Sequence, residues 1–144
     1  MIIEIDIRPQ AKQSARFTRN GHSYQPKRVV DYATQLRCAA ISEMKGAPPL
    51  TEPVFVLVFA TYALPKKSTA ADRAIIASGG YVPKPTRPDV DNILKATLDP
   101  LNGIVWRDDA LIVEATVCKR YGEKDSLVIM VETLKNAQMA QLES

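Results

Sequence analysis

The chain has very little of the equipment that many enzyme classes need. It carries one histidine, His22, and two distant cysteines, Cys38 and Cys118. Those three residues cannot assemble a Cys/His zinc site. They make no Ser-His-Asp or Cys-His centre either unless His22 serves, and nothing around His22 marks it for that role. Two cysteines without a framework suit a reducing cytosol rather than a disulfide scaffold. No apolar run approaches the ~18 residues of a membrane-spanning helix. The start, MIIEIDIRPQ, has acids inside its apolar run and lacks a signal peptide's basic opening and small-residue cleavage site. These absences lead to the expectation of a cytoplasmic protein.

What is present fits one domain over residues 1–144, with a hydrophobic fraction of 46% that permits a real core. The charges nearly balance, 19 Lys+Arg against 16 Asp+Glu, yet they are not mixed. Between Ile7 and Val30 lie Arg8, Lys12, Arg16, Arg19, Lys27 and Arg28 without a single acid. Between 89 and 114 lie Asp89, Asp91, Asp99, Asp108, Asp109 and Glu114, opposed only by Lys95 and Arg107. A basic stretch suits a polyanion, and an acidic cluster within a basic protein suits bound cations. The plainer alternative is two solvated faces of opposite sign.

Apolar and acidic residues alternate in Ile3–Ile7, which reads as a half-buried strand. Asn20-Gly21 between Phe17 and Tyr24 predicts a tight hairpin with φ > 0 at both turn positions. A helix is expected over roughly 28–45, with Val30, Ala33, Leu36, Ala40, Ile41 and Met44 on its stripe and Gly46-Ala47-Pro48-Pro49 as its stop. Val54–Tyr62 reads as a strand covered on both faces. Residues 64–85 are expected to be a mobile loop with a short helix capped at Ser68-Thr69, followed by an extended proline-rich piece. Strands are expected at about 111–120 and 126–133, then a flexible tail over 135–144. The order gives an α+β fold, one mixed or antiparallel sheet with helices packed on it.

Residues 87–110, RPDVDNILKATLDPLNGIVWRDDA, carry the chemistry. Val90, Ile93, Leu94, Thr97, Leu98 and Leu101 form the stripe of an amphipathic helix, and Pro100 ends or bends it. Asp91, Lys95, Asp99 and Asn102 then stack on the opposite side. If Asp89-Val90-Asp91 is extended, both carboxylates point the same way at the helix start. Asp108-Asp109 follows the loop at Gly103 and can fold back beside them. Either acid pair alone reads first as a helix cap or a turn. Together they repel unless protons or divalent cations sit among them, and hard oxygen ligands suit Mg²⁺. With a lysine one turn below and basic segments on both flanks, the combination points to phosphodiester chemistry.

The same stretch resembles the signature of the RusA family of Holliday junction resolvases, small endonucleases of bacteria and phages. The match runs through Pro88, Asp89, Asp91, Asn92, Lys95, Leu98-Asp99, Leu101-Asn102-Gly103 and Asp108-Asp109. The upstream ARFTRNGHSYQP, 15–26, resembles the family's N-terminal hairpin. The resemblance implies a homodimeric, Mg²⁺-dependent endodeoxyribonuclease, with Mn²⁺ as a substitute, that cuts four-way DNA junctions symmetrically in recombination and repair. It implies Asp89, Asp91 and Asp109 as metal-binding acids, Asp108 as a neighbouring ligand, Lys95 as the catalytic lysine and a supporting role for Asp99. Arg16, Arg19, Lys27, Arg28, Lys66, Lys67 and Lys84 are then expected to hold backbone phosphates. Phe17 or Tyr24 stacks on an unpaired base or simply packs, and Trp106 serves as a core or rim anchor. A less selective flap or branched-DNA nuclease and a non-catalytic DNA-binding module are the competing expectations.

Overall fold

In the computed structural model, residues 1–12 and 16–134 are described. The expected tail at 135–144 and the side chain of Arg16 lie outside them. The chain runs β1 (Ile2–Ile5), β2 (Arg16–Phe17), β3 (Ser23–Tyr24), α1 (Lys27–Met44), β4 (Val54–Ala63), α2 (Ala70–Ala77), β5 (Val82–Pro83), α3 (Val90–Leu98), β6 (Ile112–Gly122) and β7 (Ser126–Thr133). Short 3₁₀ turns at Asp99–Leu101 and Asp109–Leu111 follow α3 and precede β6. Five strands form one mixed sheet in the order β1-β7-β4-β6-β5, and β2 and β3 make a separate hairpin. Among the described strands of this sheet only the β4–β6 pair is parallel. This is the expected α+β architecture. No helix among the described residues is long and apolar enough to cross a membrane.

The core lies between the sheet and the helices α1 and α3. Val54, Val56, Val58 and Ala60 of β4 are wholly buried on that side, with Leu127 and Ile129 of β7 beside them. The opposite side of β4 is only half-covered, since Phe55, Leu57 and Phe59 retain partial exposure. The expectation of a strand covered on both faces therefore fails on one side. Its continuous apolar run reflects a central position, flanked by β7 and β6, and not two helical layers.

Helix α1 buries Tyr32, Leu36, Ala40 and Met44, a strict i, i+4 stripe, whereas Val30 and Ile41 are exposed. Tyr32 takes the place expected of Val30 because its hydroxyl meets Thr97 Oγ1 of α3 at 2.8 Å in the interior. Burial pushes the Tyr32 hydroxyl pKa well above its ordinary value. The helix ends with Lys45 and Gly46 both in the left-handed region, the conformation that stops helices and favours glycine. The hairpin turn is longer than the predicted two-residue form. Thr18 N–H donates to His22 O and Gly21 N–H to Thr18 O, with positive φ at Gly21 and not at Asn20. That is a three-residue loop in which glycine supplies the left-handed position.

Residues 64–85 are organised around α2 and β5. Thr69 caps α2 by accepting from Asp72 N–H, as the sequence suggests. Pro83 pairs with Arg120 at the sheet edge, where a missing N–H costs nothing.

Candidate active site

Helix α3 is set by its apolar stripe. Ile93, Thr97 and Leu98 are buried, and the 3₁₀ turn at Pro100 carries Leu101 into the core. Val90, by contrast, is exposed. The chain is extended at Asp89, the N-cap, and helical from Val90. Asp91 therefore belongs to the first helical turn, and the two carboxylates do not share the extended arrangement that Asp89-Val90-Asp91 allowed. Asp89 makes no side-chain cap bond, so its carboxylate is not committed to the helix end. Its backbone carbonyl accepts from Ile93 N–H at 3.1 Å.

Asp91, Lys95 and Asp99 share one side of α3 and line an open pocket of about 250 Å³ with Asp109, over Leu94, Leu98 and Ile112. Asp89 and Asp108 are not on its wall. Asp108 accepts from Ala110 N–H at 2.9 Å and so caps the 3₁₀ turn before β6. Asp109 is held differently: Trp106, fully buried, donates its indole N–H to Asp109 Oδ1 at 2.8 Å. Trp106 is thus the expected anchor, and it also aims one of the site's acids. Its backbone is fixed in turn by bridges to Leu50 and Asn102.

Lys95 Nζ sits 3.1 Å from Asp99 Oδ1, not on Asp91, and Lys12 Nζ lies 3.7 Å from Asp99 Oδ2. Asp99 therefore bridges the α3 lysine and a lysine from the N-terminal segment. All three side chains are substantially exposed, so these pairs contribute little to stability and can exchange for other partners.

The loop entering α3 is pinned from the sheet. Lys119 Nζ donates to Thr86 O at 2.6 Å and Pro88 O at 2.8 Å, and Pro88 immediately precedes Asp89. Lys119 is opposite Ala60, on the face of β6 that also carries Val117 and Tyr121. A lysine at an inward position of an alternating strand is the signal that could have flagged it. Trp106 carried no comparable mark.

Lys84 is not at the surface, where a phosphate contact requires it. It is 8% exposed, donates to Thr86 Oγ1 at 2.8 Å, and lies over the rings of Tyr62 and Tyr121 at 5.1 and 5.0 Å. Aromatic faces and a hydroxyl stabilise the ammonium there. The Thr86 hydrogen bond, helped by Lys84, lowers the Tyr121 pKa from its ordinary value. Lys84 therefore belongs to the packing beneath the 86–88 loop. Arg19, Lys27, Arg28, Lys66 and Lys67 are exposed as expected. Phe17 is 71% and Tyr24 48% exposed, so neither is a packing residue of the core.

Among the described residues no three acidic, histidine or cysteine side chains gather closely enough to hold a metal ion. In kind, the donor set fits a hard divalent cation, because it is all carboxylate and Asp109 Oδ2 takes none of the hydrogen bonds found here. In place, Asp91, Asp99 and Asp109 line the pocket, Asp99 already paired with Lys95 and Lys12, and Asp89 stands at the N-cap of α3.

The family model described as endodeoxyribonuclease RusA matches residues 6–132. The chain is also 30% identical over 101 residues to uncharacterized protein YqaN of Bacillus subtilis strain 168, covering 69% of this chain and 71% of that protein. The matched span takes in β4, β5, β6 and all but the last residue of β7, with the hairpin, the acid pocket and the lysine-pinned loop, and it places the chain in the RusA endodeoxyribonuclease family.

Proposed function

We propose that this endodeoxyribonuclease hydrolyses phosphodiesters at four-way DNA junctions, acting with Mg²⁺ as a homodimer. The observation that carries the reading is the meeting of Asp91, Lys95 and Asp109 on one open pocket, with exposed basic residues on the hairpin and on α1. Asp91 and Asp109, with Asp89 from the residue before α3, would hold the ion. Bound there, a divalent cation supplies an activated water and offsets phosphate charge; Mn²⁺ has the same ligand preferences and is expected to substitute. The chain's own residues do the rest. Trp106 fixes the direction of Asp109, and Lys119 fixes the backbone that presents Asp89. Lys95, exchanging Asp99 for a phosphate oxygen, would offset charge developing on the scissile group.

Arg16, Arg19, Lys27, Arg28, Lys66 and Lys67 would hold backbone phosphates, which gives salt-dependent binding with little sequence reading. The exposure of Phe17 and Tyr24 supports stacking on unpaired bases where junction arms meet. One acid pocket among the described residues and two strands to cut favour a two-fold dimer. The half-exposed apolar row of Phe55, Leu57, Phe59, Val128 and Met130 on the open sheet face supplies surface that a second copy could bury.

Cleavage of a synthetic four-way junction, beside a flap and a linear duplex, tests the reading. The junction should be cut, in paired strands, with Mg²⁺ and not with EDTA. Equal cutting of all three would indicate an unselective nuclease. No cutting of any would reduce the protein to a DNA-binding module. Sedimentation as a monomer at concentrations that still cut paired strands would refute the dimer.

A further inference from the structure

We propose that a recess adjoining the acid pocket is a nucleotide subsite, taking the strand's next backbone phosphate at its rim and that nucleotide's base on its floor. The proposal rests on the nuclease reading, since it places this site one step along the same strand.

The recess, of about 240 Å³, opens between α1 and the C-terminal end of α3. Val29, Ala33 and Arg37 line it at i, i+4 and i+8 of α1, and Ala96 and Pro100 face them. Alanine on both walls leaves the space, and the floor is apolar enough to receive the face of a base. The rim is basic. Arg37 is exposed and takes part in none of the ion pairs found among the described residues. Lys12 also lines the recess, and among the described residues its ammonium pairs only with Asp99, at 3.7 Å. An exposed pair this long is worth little, so the lysine can turn to a phosphate at small cost. Two cations against one shared acid select an anion and disfavour a metal ion.

Asp99 is the link between the two cavities, lining both. Its oxygens receive Lys95 on the acid-pocket side and Lys12 on the recess side. A strand with one phosphate at Lys95 therefore presents its neighbour to Lys12 and Arg37. Gln25 indicates what else enters. It lines the recess, and its Oε1 is buried without a hydrogen-bond partner among the described residues. A buried acceptor left unpaired is costly, and a turn of the Gln25 side chain toward the recess would let it accept from the exocyclic amino group of a base.

The test measures binding of the full chain to a four-way junction in EDTA, by fluorescence anisotropy. Arg37→Ala should weaken binding about fivefold to twentyfold and reduce the slope of log affinity against log salt by about one. Single methylphosphonate substitutions along the strands should locate one phosphate whose neutralisation costs wild type that same factor and Arg37→Ala nothing more. Lys12→Ala should map to the same phosphate. An abasic nucleotide there should weaken wild type, with no further loss in Gln25→Leu. Wild-type affinity in Arg37→Ala, or equal losses at every neutralised phosphate, would overturn the phosphate site. Additive losses for the abasic nucleotide and Gln25→Leu would overturn the base site. Because the readout needs no cleavage, failure of the subsite and failure of the nuclease reading are separate results.

Discussion

Replacing Lys119 by methionine keeps the aliphatic stem against β6 and removes only the ammonium. Two charge-assisted hydrogen bonds disappear, to Thr86 O at 2.6 Å and Pro88 O at 2.8 Å. Bonds to a charged donor are worth about 1.5–3 kcal/mol each at best. Thr86 is exposed and water can replace part of what its carbonyl loses, so the pair together is expected to cost about 1–3 kcal/mol. A domain of ordinary stability, roughly 5–15 kcal/mol, remains folded after that loss. The functional effect should exceed the structural one, because the freed carbonyl of Pro88 belongs to the residue before Asp89. Residues that orient metal ligands typically matter by about 10–100-fold in metal affinity. The Mg²⁺ concentration giving half-maximal junction cleavage should rise about tenfold, while the rate at saturating Mg²⁺ is largely recovered. Lys119→Arg, which keeps the charge and the donors, should restore part of the metal response. Urea unfolding and a Mg²⁺ titration of cleavage are the two assays. Lower stability with an unchanged Mg²⁺ midpoint would leave Lys119 as a structural staple with no part in presenting Asp89.

Trp106→Phe removes the donor to Asp109 and part of a fully buried ring. It should cost about 1–3 kcal/mol by thermal denaturation and also raise the Mg²⁺ midpoint, whereas Arg107→Ala, at its exposed neighbour, should do neither. Tyr32→Phe strands the Thr97 hydroxyl in the interior and is expected to cost about 1–2 kcal/mol with no change in the Mg²⁺ midpoint, measured by urea unfolding. Tyr62→Phe should be neutral or slightly stabilising at pH 7, because the Tyr62 hydroxyl is buried without a partner among the described residues. Burial pushes its pKa up to about 12. The folded form thus favours the neutral phenol, a contribution present below the ordinary value of 10 and lost as pH rises from about 10 to 12. The fall in melting temperature across that range should be shallower in Tyr62→Phe than in wild type.

What could be read from the sequence was local in origin. The α3 stripe follows from 3.6-residue periodicity, the α2 start from the Thr69 cap, and β6 and β7 from apolar alternation. The juxtaposition of Asp91, Lys95 and Asp99 follows from helical spacing alone. The arrival of Asp109 beside them needed the Gly103 loop to fold back, which the sequence allowed but did not require. Long-range pairing was hidden. Lys84 looks like any loop cation until Tyr62 and Tyr121, from two different strands, close over it. Lys119 and Trp106 gained their roles by meeting groups that the tertiary fold brings up. Tyr32 displaced Val30 from the α1 stripe because Thr97, 65 residues away, offers a buried hydroxyl. Even the Asn20-Gly21 turn was shaped by the Thr18–His22 pair rather than by its own dipeptide preference.

Strand scission of a four-way junction by Asp91→Asn and Asp109→Asn, with junction binding measured on the same preparations, decides whether the α3 pocket is the active site. Each substitution keeps the side chain's size and removes the charge a hard cation needs. Both variants should bind the junction about as well as wild type and lose at least roughly a hundredfold in Mg²⁺-dependent cleavage. Cleavage at the wild-type rate by either variant, with binding intact, would contradict the assignment of the α3 pocket as the active site.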